Sequence, residues 1–383
     1  MLDLKRQITE YAMQCGFDLV RITRAGEFAQ DRDVALTRIK SGQMDGLPWY
    51  TESRVRRGAD PQTLLPGARS IICLGLSYLD DETPTASGGK VARYASVKNY
   101  HRAMKRRMKA LVRGLEERLE SSIKAKWYVD DGPMLDRAAA ARSGLGWFGK
   151  STNILTPSHG SWVLLGQVIT DLDLEPDPAL QKACGACVRC IDDCPTSAII
   201  APFILDNARC ISYQTIENRG VIPLDMRPLI GDWVFGCDIC QDVCPVNRKA
   251  EKPLQPIEKA GAVGPSGKLD LAELLALSEE EFRARFQGTS IMRAKRVDMQ
   301  KNACVALGNN RDTAGVPALV SALKNAEPLV RGHAAWALGQ MATTQAIKGL
   351  EQSTESDPYV LEEIAAAIKE SRRKPSQASS LAR

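Results

Sequence analysis

Eight cysteines, set in two unequal copies of one pattern, restrict this chain more than any other feature. KACGACVRCIDDCP, residues 182–195, places Cys184, Cys187, Cys190 and Cys194 at spacing C-x2-C-x2-C-x3-C with Pro195 directly after. A second copy opens at Cys210 and resumes in GCDICQDVCP with Cys237, Cys240 and Cys244; its first gap is stretched to twenty-six residues, but the x2, the x3 and the closing Pro245 are kept. Each x2 step lets backbone wrap a cluster so that amide N–H groups reach the sulfides, and the proline ends the turn. In two-cluster ferredoxins the fourth cysteine of a run ligates the other cluster. That exchange predicts one [4Fe–4S] cluster on Cys184, Cys187, Cys190 and Cys244, and another on Cys194, Cys210, Cys237 and Cys240. Structural zinc takes two pairs of ligands per ion and has no use for two C-x3-C-P endings. Disulfide frameworks belong to short secreted chains.

A chain of 383 residues, 44% hydrophobic and 25% charged, is long enough for two or three domains. MLDLKRQITEYAMQCGF disperses its charges through a helical pattern, and no run of about 18 apolar residues occurs, so a cytoplasmic protein without membrane association is expected. The other cysteines, Cys15, Cys73 and Cys304, sit in apolar contexts and read as core. The expected organisation is an α/β or α+β domain over 1–175, a ferredoxin-like double-cluster module over 176–250, a linker and helix over 251–295, and helical repeats over 296–383.

Within the first domain DLVRIT and SIICLGLSYL read as strands, the latter buried, with the polar, basic SRVRRGADPQTLLPGARS between the two. DDETPTASGGK reads as an exposed loop, KNYHRAMKRRMKALVRGLEERLE as an amphipathic helix and WYVDDGP as a strand entering a turn. DRAAAARSGLG then reads as a helix closed by glycine, and SWVLLGQVITD as another strand. KPLQPIEKAGAVGPSGK is a Pro/Gly-rich linker. In the C-terminal part RVDMQKNACVALGN and EPLVRGHAAWALGQ superpose at a period of 31, Ala303 over Ala334 and Gly308 over Gly339, and DPYVLEEIAAAIKE adds a weaker copy with Ala365 in register. This is the pattern of stacked HEAT-like helix pairs.

GLGWFGKS, residues 144–151, satisfies G-x4-G-K-S and contains G-x-G-x-x-G. A phosphate loop needs a strand before it and a helix after it. Here the order is reversed, so the glycines are read as a tight turn.

These parts together resemble the epoxyqueuosine reductase family, which acts on tRNA. The resemblance rests on YVDDGPMLDRAAAARSGLGWFGKSTNILTP, the split eight-cysteine pattern and the HEAT-like tail, and runs nearly the whole chain. It implies a cobalamin-binding first domain and reduction of the epoxide of epoxyqueuosine in a tRNA anticodon loop, giving queuosine and water. The chain lacks the D-x-H-x-x-G loop of enzymes that ligate cobalt through histidine, and its only histidines are His101, His159 and His333. The implied cobalamin is therefore base-off, without a histidine ligand. The family's proton donor maps to Asp130; this chain departs from the pattern in placing Asp131 next, where a small residue is usual. Neighbours in extended chain face opposite sides, so Asp130 is assigned the acid and Asp131 a turn role. Cofactor contacts carried over by the resemblance are Arg57, Ala92, Asp130, Ile154, Leu165, Ser212, Cys237 and Asp238, with Lys150 and Asn153 beside the glycine turn.

Charge points independently to nucleic acid. From Lys98 to Arg113 there are seven Lys or Arg and no acid, a helical face suited to phosphates. Expected partners are thus tRNA and a separate electron donor whose identity the sequence does not give, with the chain acting as a monomer. Two rival readings are a cobalamin-dependent reductive dehalogenase-like enzyme acting on a small molecule, and a non-catalytic iron–sulfur electron-transfer protein. The helical tail counts against the first, and the large N-terminal domain against the second.

Overall fold

The computed structural model describes residues 2–79, 88–258, 261, 263 and 268–373, without the side chains of residues 2 and 3. The loop expected at DDETPTASGGK lies outside the described residues up to Ser87, as does part of the linker expected after residue 251. Two compact units emerge, neither continuous in sequence: one of residues 1–81, 97–208 and 238–259, the other of 82–96, 209–237 and 260–383.

The first unit is built on a four-stranded sheet in the order Leu19–Arg24, Ser70–Ser77, Val163–Thr170, Ala125–Tyr128. Every pairing is antiparallel, so of the two expected classes the sheet is α+β. Ser70–Ser77 is buried at every position and hydrogen-bonded along both edges, which is why SIICLGLS reads as a continuous apolar run rather than an alternation. One sheet face carries Cys73 and Ile169, packed with Ala138–Ala140 of the helix Asp136–Arg142. On the other, Gly166 lies so near the basic helix Tyr100–Leu119 that a Cβ there would stand 2.1 Å from Met108 Cε. That helix buries Met104, Met108, Leu111 and Leu115, the stripe its spacing predicts, and Asn99 caps it by accepting from the Arg102 N–H.

The polar segment between the first two strands is not an irregular connection. Thr51 accepts from the Arg54 N–H and starts the helix Glu52–Ala59, and Asp60 in turn caps Pro61–Leu64. Arg56 and Arg57 are exposed, while Val55, Gly58 and Ala59 are buried, a stripe too short to stand out among the arginines. Cys15 also departs from expectation. Cys73 and Cys304 are fully buried, but Cys15 is half-buried, because it follows the end of the helix Leu2–Gln14 where the chain turns at Gly16.

In the second unit Gly89–Val91 lies between Trp233–Phe235 (parallel) and Lys268–Leu269 (antiparallel). The repeats form the helices Arg296–Asn310, Pro328–Met341 and Pro358–Arg373, with the shorter Val316–Ala322 and Thr344–Glu351 between them. The small residues that revealed the period are packing points: a Cβ on Gly308 would meet Ala337 Cα at 3.0 Å, and one on Gly339 would meet Ala367 Cα at 2.8 Å. The repeats are tied to residues 222–231 by a buried bidentate pair, Arg227 donating to Glu363 at 2.9 and 2.6 Å.

Gly58 is the tightest approach in the first unit. Its Cβ position lies 1.7 Å from the carbonyl oxygen of Pro133, so this helix buttresses the loop that follows Ala125–Tyr128. Gly58→Ala is expected to cost about 1–3 kcal/mol by overpacking, read as a lower urea midpoint; an unchanged midpoint would show that the loop yields freely.

Candidate active site and cluster ligands

The strand Ala125–Tyr128 ends where Asp130 enters the left-handed region at φ +47°, a conformation costly for most side chains and tolerated by aspartate. The exposed Asp130 carboxylate is held from one side of the basic helix: the Tyr100 hydroxyl donates to Oδ2 at 2.5 Å, and His101 Nε2 lies 2.5 Å from Oδ1. The Tyr100 and His101 rings stack with centroids 4.0 Å apart. Asp131 turns elsewhere, to Lys105 and to the Val129 N–H at 3.2 Å. Partial burial works against its ionisation but is outweighed by the Lys105 and Val129 hydrogen bonds and the Lys105 charge, so its carboxyl is held below the usual range. Asp131 is an anion fixed to a lysine, poorly suited to donate a proton.

Arg57, expected near a cofactor, is exposed at the end of its helix, with its carbonyl accepting from Thr63. The guanidinium that reaches the loop is Arg54, which donates to the Gly132 carbonyl. The two arginines are three residues apart on the same helix.

GLGWFGKS forms a turn and a hairpin. Gly144, at φ +72°, follows the helix Asp136–Arg142, and Trp147–Phe148 pairs with Ile154–Leu155, leaving no helix to receive a phosphate. Lys150 donates to the Gly185 carbonyl at 2.7 Å, inside the first cysteine run, and Asn153 Nδ2 lies 3.6 Å from Cys240 Sγ. Ile154 and Leu165 pack in one apolar cluster with Tyr128 and Met134, on either side of the Asp130 loop in sequence. Asp238 is buried and accepts from Gln241 at 3.2 Å. Ala92, Ser212 and Cys237 belong to the second unit, where the buried Ala92 donates its N–H to Phe235 and half-buried Ser212 lies in the helix Ile211–Ile216.

Six of the eight motif cysteines lie in the first unit; Cys210 and Cys237 lie in the second. Among the described residues none of the eight is in a disulfide. Short helices Arg189–Asp192 and Ile239–Asp242 pack together, so the two C-x3-C-P endings face one another as related halves. Burial, then the negative charges of Cys184, Cys244 and Cys187, push the Cys190 thiol up to about 11. Burial also raises Cys244, whose thiol in turn feels Cys184 and Cys187. Cys190 and Cys244, which resist ionising beside two further thiols, suit a multiply charged iron–sulfur core, which removes the repulsion. Around the remaining first-unit pair, the Ala198 N–H reaches Cys194 Sγ at 3.4 Å and Asn153 reaches Cys240, the donors a cluster thiolate accepts.

Two family models fall on the segments just described. That described as "Epoxyqueuosine reductase QueG, DUF1730" matches residues 58–131 and that described as "4Fe-4S double cluster binding domain" matches 183–247; HEAT repeats match 289–369. An epoxyqueuosine reductase of Pseudomonas aeruginosa is 37% identical over 357 residues, 89% of this chain and 95% of that protein. The chain belongs to the epoxyqueuosine reductase family. It is accordingly an oxidoreductase with a double [4Fe–4S] module and a HEAT-repeat tail. The Escherichia coli epoxyqueuosine reductase is 35% identical, covering 88% of this chain and 89% of its own. A crystal structure of epoxyqueuosine reductase with an epoxyqueuosine-modified tRNA-Tyr stem loop superposes with TM-score 0.88 at 33% identity, covering 97% of this chain and 99% of that one. A Bacillus subtilis epoxyqueuosine reductase, described with its catalytic aspartate loop swung out of the active site, superposes with TM-score 0.86 at 32% identity over 96% and 99% of the two chains.

As an epoxyqueuosine reductase the chain shows several site residues that sequence reasoning passed over. Tyr100 and His101 were read only as part of a basic helix, although a histidine in a chain with three of them, at the first turn of that helix, was a signal. The helix also spends part of its charge internally. Lys105 holds Asp131, and Arg107 donates to the Gly16 carbonyl from a half-buried position. Arg102, Arg106, Lys109 and Arg113 remain exposed. Among the described residues no helix is long and apolar enough to cross a membrane.

Anaerobically prepared protein should hold about eight iron per chain, as two four-iron clusters require. Replacing Cys244 by Ala should damage the cluster of Cys184, its spatial neighbour, rather than that of Cys240. Electron paramagnetic resonance showing the Cys184 cluster intact in that variant would refute the exchange.

Proposed function

We propose that this chain reduces the epoxide of epoxyqueuosine in a tRNA anticodon loop to the alkene of queuosine, with two electrons and two protons consumed and water released. The observation that carries the reading is the Asp130 carboxyl, presented at the surface of the first unit by a left-handed turn and gripped by Tyr100 and His101. Its support lies also in the family membership and in a relative of the same fold that accepts an epoxyqueuosine-modified stem loop.

Two [4Fe–4S] clusters and a base-off cobalamin belong to the proposal. Cys184, Cys187, Cys190 and Cys244 would hold one cluster; the other, on Cys194, Cys210, Cys237 and Cys240, is proposed from spacing alone. For the corrin, whose rim carries amides, the first unit offers Asn153, Ile154, Lys150 and a buried Trp147 Nε1 with no hydrogen-bond partner. Unsatisfied buried donors of this kind call for an acceptor. Such a group fits the residues present. Neither His159, beside Ser158, nor the buried His333 of the repeats is a free imidazole, and His101 is taken by Asp130. When bound, cobalamin supplies the low-potential two-electron chemistry, and the clusters supply the electron route from a separate donor.

What the protein's own residues do follows from the site. An alkoxide leaves carbon readily only when protonated, so an acid must reach the departing oxygen. Asp130 is positioned to do this, Tyr100 orients its carboxyl, and His101 offers a path for the proton that replaces the one given up. Asp131 stays ionised and locks Lys105. The loop carrying Asp130 is proposed to move on substrate entry; the Bacillus subtilis relative is described with its catalytic loop swung out of the active site. Exposed Arg102, Arg106, Lys109 and Arg113 would bind tRNA phosphates, and a tRNA substrate implies a reaction in the cytoplasm.

Asp130→Asn keeps the shape and removes the acid. Clusters and cobalamin should stay bound while turnover falls by something on the order of 10²–10⁴, whereas Asp131→Asn should stay within a few-fold of wild type. The opposite ranking in nucleoside analysis would move the acid one residue along. Replacing Arg102, Arg106 and Lys109 together by Gln should flatten log K against log salt by about 0.7–0.9 for each phosphate no longer neutralised. An unaltered slope would mean that this face is merely solvated.

A further inference from the structure

The motif that supplies Asp130 contains a second carboxylate that the mechanism above leaves idle. Asp136, the first residue of the helix Asp136–Arg142, has its Oδ1 buried without a hydrogen-bond partner. It lies six residues beyond the left-handed Asp130, and it is tied to the strand that leads there through Gln167, which pairs across the sheet with Tyr128. Beneath it the Gln167 side chain, itself fully buried with an unpartnered Oε1, donates to the Asp136 carbonyl at 3.5 Å. Unmet buried polar atoms are rare, and here two of them lie under the turn that presents the proton donor.

We propose that Asp136 is a positioning residue for Asp130: its buried carboxyl anchors the left-handed turn when neutral and loosens it when ionised, because it then confronts the Asp130 carboxylate. The inference rests on Asp130 being the proton donor. Burial first, and then the Asp130 charge, push the Asp136 carboxyl up from 3.8 to about 7, against the pull of its own N–H, Arg137 and the Asp130 N–H. On the sheet side it is faced by Cys73, whose thiol burial raises to about 12, so this neighbour is neutral throughout the neutral range. Asp136 therefore changes charge near neutral pH. The folded chain keeps a proton that the unfolded chain gives up, so the stability contributed by this group is complete below about pH 4, falls as pH rises to about 7, and then levels off. The same titration adds a like charge beneath Asp130, so a neutral Asp136 favours the seated turn and an ionised one favours release.

Hydrogen–deuterium exchange of the segment 129–136 in the cluster- and cobalamin-loaded enzyme, corrected for intrinsic exchange, tests this across pH 6 to 8. Wild type should lose protection by roughly tenfold, the equivalent of one pKa unit, and Asp136→Asn should be flat over the same range. Coincident curves for the two proteins would overturn the proposal. Should Asp136→Asn fold poorly, Asp130→Asn decides: removing the facing charge should move the wild-type midpoint to lower pH, and an unmoved midpoint overturns the pairing. The two assignments fail separately. A protection midpoint that Asp136→Asn abolishes, together with undiminished queuosine formation by Asp130→Asn, would keep the anchor and discard the donor.

Discussion

The register between Ala125–Tyr128 and Val163–Thr170 is the constraint on which the site depends. Tyr128 pairs with Gln167, and the short strand stops there because the chain turns left-handed two residues later. The length of that strand fixes where Asp130 emerges. Gly58 then supports the loop from one side, and the basic helix from the other through Tyr100, His101 and Lys105. Helix and strand are held in turn by the close approach at Gly166, so packing against the sheet sets the reach of the hydrogen bonds to the Asp130 loop.

Two adjacent carboxylates acquire opposite roles from their surroundings. Asp130 is exposed between a hydroxyl and an imidazole, whereas Asp131 is half-enclosed by an ammonium and an amide. A third carboxyl, Asp136, at the start of the helix that follows the loop, has a buried oxygen and resists ionisation. In the proposed reading, these contrasting surroundings separate proton donation from anchoring.

Much of this was legible in the sequence, and for identifiable reasons. Ser70–Ser77 and Tyr100–Leu119 announced themselves because their burial is periodic or continuous, and the repeats because Gly308 and Gly339 must be small where the next helix crosses. The cysteine spacing carried its chemistry on its face. The helix Glu52–Ala59 did not, since four of its eight residues are charged and only a narrow stripe is buried. With that helix unrecognised, its angular spacing could not be used, so Arg54, which touches the loop, went unremarked beside Arg57. The role of Tyr100 and His101 was missed because their partner, Asp130, is about thirty residues away, and the rarity of histidine was the one local hint.

The central claim is that this chain couples iron–sulfur clusters and a corrin to removal of the epoxide oxygen. It is tested most directly by reconstituting the protein anaerobically with iron and sulfide, adding or withholding cobalamin, supplying a chemical reductant and epoxyqueuosine-bearing tRNA, and analysing the digested nucleosides. The account predicts queuosine only where cobalamin and clusters are both present. Equal queuosine without cobalamin would contradict it.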